Sequence, residues 1–435
     1  MNKKFLSLIA AQVLATPAFG QGSNVVIYGT FNVDFENVER DGATAAGSAG
    51  NSLVASPTAA NALNQGPRNR VSNNSSNIGF RGTEELGGGL KAIFQLESSV
   101  SIDTGGGNLA SRNSNAGLTG AWGTVFYGLW DTPYKFITLR QDAFFGTGIG
   151  AGKTVIGSPG FGVIRTTQSG RVGVTGVPAV AGGAPIPGVF STVAVSGAPD
   201  AAFDRRQGNS VQYWTPVWSG LSARLAYSAN EQKSANEATP NINPYIGSAA
   251  VFYENGPLYA ALAYDRHEDY FGLFGLTNNG LQGPSATNPG SRDSGYKAGI
   301  GYTFFGSTTL NVIAERLEYE NDQSLAGAVT EYSRNAIYVS LLHKIGPGTI
   351  RASFSKASSG NCAINAGACS TAGLGVRHAV LGYSHTFSKR TAVYALYSYV
   401  DNDRLASYNF GFNPVEPAGV GSDPSGLAVG IRHTF

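Results

Sequence analysis

The chain has 435 residues, with 30 Lys and Arg against 28 Asp and Glu. Charged residues make up only 13%, against roughly 25% in ordinary soluble domains, and this sparse, balanced charge excludes a basic nucleic-acid binder. With 59 glycines, 11% aromatics and a single Met at the initiator, a helix-rich domain is excluded in favour of β structure with many turns.

Lys3 and Lys4 precede a largely apolar run from Phe5 to Ala15, and Ala18-Phe19-Gly20 sets small residues just before Gln21. This order predicts a secretory signal peptide over residues 1–20, whose apolar run is too short for a spanning helix. Residues 21–435 are then one domain. Loss of Lys3 and Lys4 leaves 28 basic and 28 acidic residues, a formal net charge of zero. No later stretch reaches the ~18 continuous apolar residues of a membrane helix. An exported chain without such a helix crosses a membrane only as a closed barrel.

Strands are read from alternation. Ile78 and Phe80 oppose Asn77, Gly79 and Arg81; Leu90, Ala92, Phe94 and Leu96 oppose Lys91, Ile93, Gln95 and Glu97. Further on, Leu221, Ala223, Leu225 and Tyr227 oppose Ser222, Arg224 and Ala226; Tyr296, Ala298, Ile300 and Tyr302 oppose Lys297, Gly299, Gly301 and Thr303. Short linkers fall at 84–89, 121–123, 217–220, 255–257, 305–307, 346–348 and 388–390. Long ones fall at roughly 37–70, 102–112, 131–207, 230–245, 267–293, 320–331, 357–374 and 401–425. Seven short turns and eight long loops predict an all-β, antiparallel transmembrane β-barrel of about 16 strands, with short periplasmic turns and long extracellular loops. A soluble sandwich or β-helix would also alternate. Neither accounts for the loop rhythm, the export signal and the aromatic-rich apolar face together.

The 131–207 loop far exceeds the ~12–15 residues usual for an unstructured connection. Its stretch Val174–Ala202 carries one charge, Asp200. Such a segment is expected to fold into the lumen and narrow it; a lid over the mouth or a hairpin within the loop are the alternatives for its apolar part. Cys362 and Cys369 lie in a Gly/Ser/Ala-rich loop, where an oxidising compartment favours a local disulfide over two free thiols. The last strand alternates Leu427, Val429, Ile431, His433 and Phe435 with Ala428, Gly430, Arg432 and Thr434. A charge within an apolar alternation points to water, so Arg432 faces the lumen.

These features together resemble a Gram-negative general porin of the trimeric kind found in Neisseria, Bordetella, Burkholderia and Comamonas relatives. The likeness begins at Val25-Val26-Ile27-Tyr28-Gly29 and is most specific from Ile78-Gly79-Phe80-Arg81-Gly82-Thr83-Glu84-Glu85-Leu86-Gly87 to Leu96-Glu97. It continues through Asn209-Ser210-Val211-Gln212-Tyr213 and Leu381-Gly382-Tyr383-Ser384 to Val429-Gly430-Ile431-Arg432-His433-Thr434-Phe435. The resemblance implies a homotrimer in outer-membrane lipid and lipopolysaccharide, and a constriction loop after the fifth strand. It also implies a barrel-assembly machinery that reads Phe435 as its signal. From the residues themselves no cofactor and no metal are expected. Asn77 stands where several relatives have Arg, and Leu129-Trp130 where they often have a basic or polar residue. Pore function follows from the likeness; charge selectivity does not.

A charge on the lipid face near the midplane costs about 2–4 kcal/mol for Arg or Lys. Arg81, Lys91, Glu97, Arg224, Lys297, Arg351 and Arg432 are therefore expected to line the pore, joined at the constriction by Asp131, Arg140 and Asp142 from the loop. The basic excess in this set predicts a mild anion preference. Gly146-Thr147-Gly148-Ile149-Gly150-Ala151-Gly152-Lys153-Thr154 resembles a phosphate-binding loop, but Thr147 occupies its first required glycine and no strand–loop–helix unit surrounds it. The five histidines show no metal-ligand spacing. The reading is a passive channel for small hydrophilic solutes and ions, not an enzyme. A substrate-selective channel with weak sites for phosphate or organic anions is the alternative, and a barrel enzyme or adhesin lacks any visible reactive cluster or passenger domain.

Overall fold

The computed structural model describes residues 24–161, 201–229, 241–276 and 283–435. The expected signal peptide and most of the Val174–Ala202 stretch lie outside these residues. The described chain forms one antiparallel sheet closed on itself. Its strands are β1 (Asn24–Asp41), β2 (Gln65–Asn73 continuing as Asn77–Gly87), β3 (Leu90–Val100), β4 (Gly107–Asn108 and Ser114–Gly120), β5 (Gly123–Asp131), β6 (Arg206–Trp214), β7 (Leu221–Ala229) and β8 (Tyr245–Asn255). They continue as β9 (Leu258–Glu268), β10 (Ser291–Phe304), β11 (Thr308–Asn321), β12 (Val329–Ile345), β13 (Gly348–Ala357 and Asn361–Ile364), β14 (Val376–Thr386), β15 (Thr391–Asn402) and β16 (Asp423–Thr434). β1 pairs with β2 on one edge and with β16 on the other, from Thr30↔Thr434 to Asp41↔Asp423. That closure leaves no open edge, as a strand structure in lipid requires.

The apolar residues point outward. Leu262, Leu381, Val429, Val25 and Ile27 are exposed, while their inward neighbours are mostly buried. No described helix is long and apolar enough to cross a membrane. Aromatics gather at the two ends of the outer face: Trp122, Trp218, Phe305 and Phe387 near the short turns, Tyr264, Tyr296, Tyr397 and Tyr399 toward the long loops. Amphipathic rings at both rims match the girdles of membrane barrels. The turns carry the expected backbone. Phe305 and Gly306 both have positive φ, 51° and 68°, the mirror-image turn whose twist matches antiparallel strands.

The expected linker at 37–70 is shorter in the structure, because β1 runs on to Asp41 and β2 starts at Gln65. β2 is interrupted at 74–76, where Asn32 N–H donates to Ser76 Oγ at 2.9 Å instead of to a carbonyl. This break turns Asn74 and Ser75 into the lumen, the usual use of a bulge.

Cys362 and Cys369 are joined, with Cα atoms 5.6 Å apart. Closing so short a loop is worth roughly 2–3 kcal/mol in the chain-entropy model. The unreduced protein should therefore resist alkylation at both positions. Two labelled thiols in its mass spectrum would refute the bridge.

Candidate pore constriction

The loop after β5 enters the barrel instead of leaving it. Helix α1 (Pro133–Gln141) starts on a proline at its first turn, where the missing N–H costs nothing. Its buried face carries Tyr134, Ile137, Thr138 and Gln141. Gln141 Nε2 donates to Ile300 O of β10 at 2.7 Å, and Ser340 Oγ of β12 donates to Gln141 O at 2.8 Å. On the opposite side Arg140 reaches Glu254 at 2.9 Å. The helix is thus fixed flat against the inside of β8–β12.

A buried charge set holds the rest of the loop. Lys297 Nζ of β10 lies 2.5 Å from Asp204 and 3.4 Å from Glu315 of β11. It also donates to Thr138 Oγ1 at 2.7 Å and stands 3.9 Å from the Tyr134 ring centroid. Glu315 accepts from Tyr134 O–H at 2.9 Å and from Gly157 N–H at 2.8 Å, and pairs with Arg334 of β12 at 3.2 Å. Arg334 donates in turn to Val155 O at 2.8 Å and to Ser158 O. Phe203 fills the space between Tyr134, Tyr319 and His267. Wall charges are compensated here by loop groups, which is the condition for burying them without a large desolvation loss.

The glycine-rich stretch after α1 does cradle an anion, but that anion is its own. Asp142 accepts N–H bonds from Phe144 at 2.6 Å, Gly146 at 3.1 Å and Gly152 at 2.6 Å. The likeness to a phosphate loop therefore ends in a closed nest. Burial raises the Asp142 carboxyl above the ordinary range, against the pull of these backbone donors.

Between the inserted loop, β1, β2, β16 and the loop before β16 lies a cavity of ≈ 760 Å³. Its charged lining is Arg112, Lys135, Lys153, Arg205, Arg206 and Arg432 against Asp131, Asp142, Asp204 and Glu416. Most of these are committed. Arg112 Nε holds Glu97 at 2.5 Å, and Asp131 is shared by Lys135 at 2.7 Å and Arg206 at 3.3 Å. Burial lowers the Lys135 ammonium, against the pull of Asp131. Lys153, Arg205 and Arg432 have no carboxylate partner among the described residues; on the acidic side Glu416 and Asp142 have no cationic partner, Asp142 being held by backbone N–H groups. Burial, with Lys135 and Arg206 adding repulsion, pushes Lys153 down to about 8.

Of the residues expected to line the pore or its constriction, Asp131, Asp142 and Arg432 line this cavity. The others lie elsewhere. Lys91 pairs with Glu85 at 2.5 Å beside a periplasmic turn, both largely exposed. Arg81 stands over the Tyr28 ring at 5.1 Å, and Glu97 is taken by Arg112 and by Tyr28 O–H at 3.1 Å. Arg224 is stacked among Phe136, Trp214 and Phe252 at 4.0, 4.1 and 5.2 Å. Arg351 packs on Phe145 and donates to Ser384 Oγ and Ala143 O. Arg140 and Lys297 face the wall. Arg224, Lys297 and Arg351 meet the inserted loop instead of open water, whereas Lys91, Arg81 and Glu97 meet neighbouring residues of the wall and its connections. The sequence reading missed Glu315 and Arg334. Glu315 adjoins Arg316, and Ile313, Leu317 and Tyr319 on its own face are apolar and buried, so the local alternation carries no polar-in signal.

A family model described as Gram-negative porin matches residues 6–405. The chain is 27% identical over 434 residues to outer membrane porin protein 32 of Delftia acidovorans, covering 99% of each chain. Its fold is similar to the anion-selective porin from Comamonas acidovorans, with a TM-score of 0.66 at 22% identity over 95% of this chain and 100% of that one. It is also similar to the trimer form of OmpT from Vibrio cholerae, with a TM-score of 0.54 at 14% identity over 95% of this chain and all of the other.

Proposed function

Since the chain belongs to the Gram-negative porin family, we propose that its barrel assembles as a homotrimer and passes small anions in preference to cations. It is an outer-membrane porin, a water-filled channel for passive diffusion of small hydrophilic solutes and ions. The observation that carries the anion preference is the cavity's charge outside ion pairs: Lys153, Arg205 and Arg432 against Asp142 and Glu416. One charge acting on an ion ~10 Å away in water is worth only ~0.4 kcal/mol, so the preference is a sum of small terms, a few-fold at low salt. Asn77, also on the cavity wall, adds no charge. Trimer formation is supported by the wall from β4 to β7. Its regular strands have 7 to 9 residues, at or below the ~9–11 that span a bilayer, so neighbouring protomers would shield this side. A planar-bilayer reversal potential under a KCl gradient tests the sign; a clear cation preference at low ionic strength overturns it. Liposome swelling with uncharged sugars of rising size separates a general pore from a substrate-selective channel.

The chain end has its own test. The Phe435 ring packs 5.2 Å from Phe31, and its backbone pairs with Gly29 through two bonds of 3.1 Å. A Cβ on Gly29 would lie 2.5 Å from Phe435 Cζ and 2.6 Å from Asn77 O. Phe435→Ala, which removes the signal proposed for the assembly machinery, is expected to lower the amount of folded barrel in the outer membrane. Gly29→Ala, which displaces the same ring, should do so more weakly. Wild-type levels of heat-modifiable protein in Phe435→Ala at low expression would sink this role.

A further inference from the structure

We propose that Phe145, at the tip of the inserted loop, is a positioning residue of the pore: its ring holds the guanidinium of Arg432 beside that of Arg351 and so keeps two positive charges together at the cavity wall. The inference rests on the anion-conducting reading above and adds the residue that holds the charge in place. The backbone is built to present this ring. Phe145 and Gly146 both have φ of 63°, a left-handed turn that a residue with a bulky side chain seldom adopts. Asp142 accepts N–H bonds from Phe144 at 2.6 Å and from Gly146 at 3.1 Å, on either side of Phe145, and so fixes the turn. Beside the ring stands Tyr394 of β15, with centroids 6.0 Å apart; its O–H donates to Asn32 Oδ1 of β1 at 2.9 Å. Phe145 is thus held half-buried on the cavity wall.

The ring has two cations on it. Arg351 Cζ lies 4.3 Å and Arg432 Cζ 5.3 Å from its centroid, close enough to one another for like charges to repel. Arg351 is tied down, since it donates to Ser384 Oγ at 3.0 Å and to Ala143 O at 2.5 Å. Arg432 is not. It lines the cavity and makes no hydrogen bond or ion pair among the described residues, so the Phe145 ring is what engages its guanidinium. A cation within about 6 Å of an aromatic face is attracted by the ring quadrupole, more strongly where water is scarce. That attraction offsets the repulsion from Arg351. Without the ring, Arg432 would swing on its long side chain along the wall, away from Arg351 and the inserted loop, and its charge would act on a passing ion from farther away.

The test uses the full-length channel in planar bilayers, with reversal potentials read at low ionic strength. Phe145→Leu keeps an apolar side chain without the quadrupole and should lower the anion-to-cation permeability ratio about twofold. Phe145→Tyr, which keeps the ring, should retain the wild-type ratio. Arg432→Gln should lower the ratio about fourfold, and adding Phe145→Leu to Arg432→Gln should change it no further. An unchanged ratio in Phe145→Leu overturns the positioning role. So does an equal drop with and without Arg432, since a ring that merely fills space acts in both backgrounds. Phe145→Met supplies a second ring-free variant if Phe145→Leu fails to fold. Labelling by phenylglyoxal, read by mass spectrometry at Arg432, tests the contact independently of selectivity and should run several-fold faster in Phe145→Leu. A potassium-preferring wild type removes the anion-conducting reading. Faster labelling in Phe145→Leu then still supports the contact, and equal labelling rates remove it.

Discussion

Glu315→Ala is expected to release the inserted loop from the wall and to give a channel of higher, noisier conductance. Glu315 is the point where the loop and the wall exchange most of their polar contacts. Its carboxylate accepts from Tyr134 O–H at 2.9 Å and Gly157 N–H at 2.8 Å, and faces Lys297 at 3.4 Å and Arg334 at 3.2 Å. Removing one member of a buried charge set leaves the others uncompensated, at about 3–5 kcal/mol; an ordinary hydrogen bond contributes about 1 kcal/mol. The barrel's strand pairing does not depend on Glu315, so the loss falls on loop docking. Glu318→Ala, on the outward face of the same strand and paired to Arg316, should leave conductance unchanged. Single-channel recording and limited proteolysis within 133–161 check both. A quiet, wild-type conductance in Glu315→Ala would show that the loop holds without this hub.

Anion preference is expected to fall as pH rises from 7 to 9. Burial lowers the Lys153 ammonium from 10.5 to about 8; Lys135 and Arg206 add to the shift, while Asp204 and Asp131 oppose it. A base with a lowered pKa keeps its charge below that value and loses it above, so one lumenal positive charge disappears across this window. At ~10 Å in water that charge is worth ~0.4 kcal/mol in favour of an anion and as much against a cation, about a fourfold change in the anion-to-cation permeability ratio. Lys153→Glu changes the local charge by two and should shift the ratio about fifteenfold. It should also abolish the step near pH 8. Reversal potentials at low ionic strength measure both effects; at 1 M salt, screening over ~3 Å should remove most of them. A ratio that stays constant from pH 7 to 9 would exclude Lys153 as a selectivity group.

The barrel itself was legible because its information is local. Lipid outside and water inside impose a period of two on each strand, so Leu427, Val429 and Ile431 declare the outer face and Arg432 the inner one without reference to any other strand. Turn chemistry at Phe305-Gly306 and the long–short rhythm of the linkers are equally local. The constriction is not. The inward direction of Arg224, Lys297 and Arg351 follows from their own strands, but whether each meets water or a loop depends on residues far away in the chain, such as Phe136, Asp204 and Ala143. On β11 the inserted loop even reverses the pattern: Ile313, Leu317 and Tyr319 are apolar on the inner face because loop side chains, not water, cover them. The sequence alone therefore determined a closed, lipid-facing barrel and which charges look inward. Only the tertiary structure decided which of those charges are spent anchoring the loop, like Lys297, and which, like Arg432, stay without an ion pair on the cavity wall, since pairing inside the lumen is a long-range outcome that no periodicity encodes.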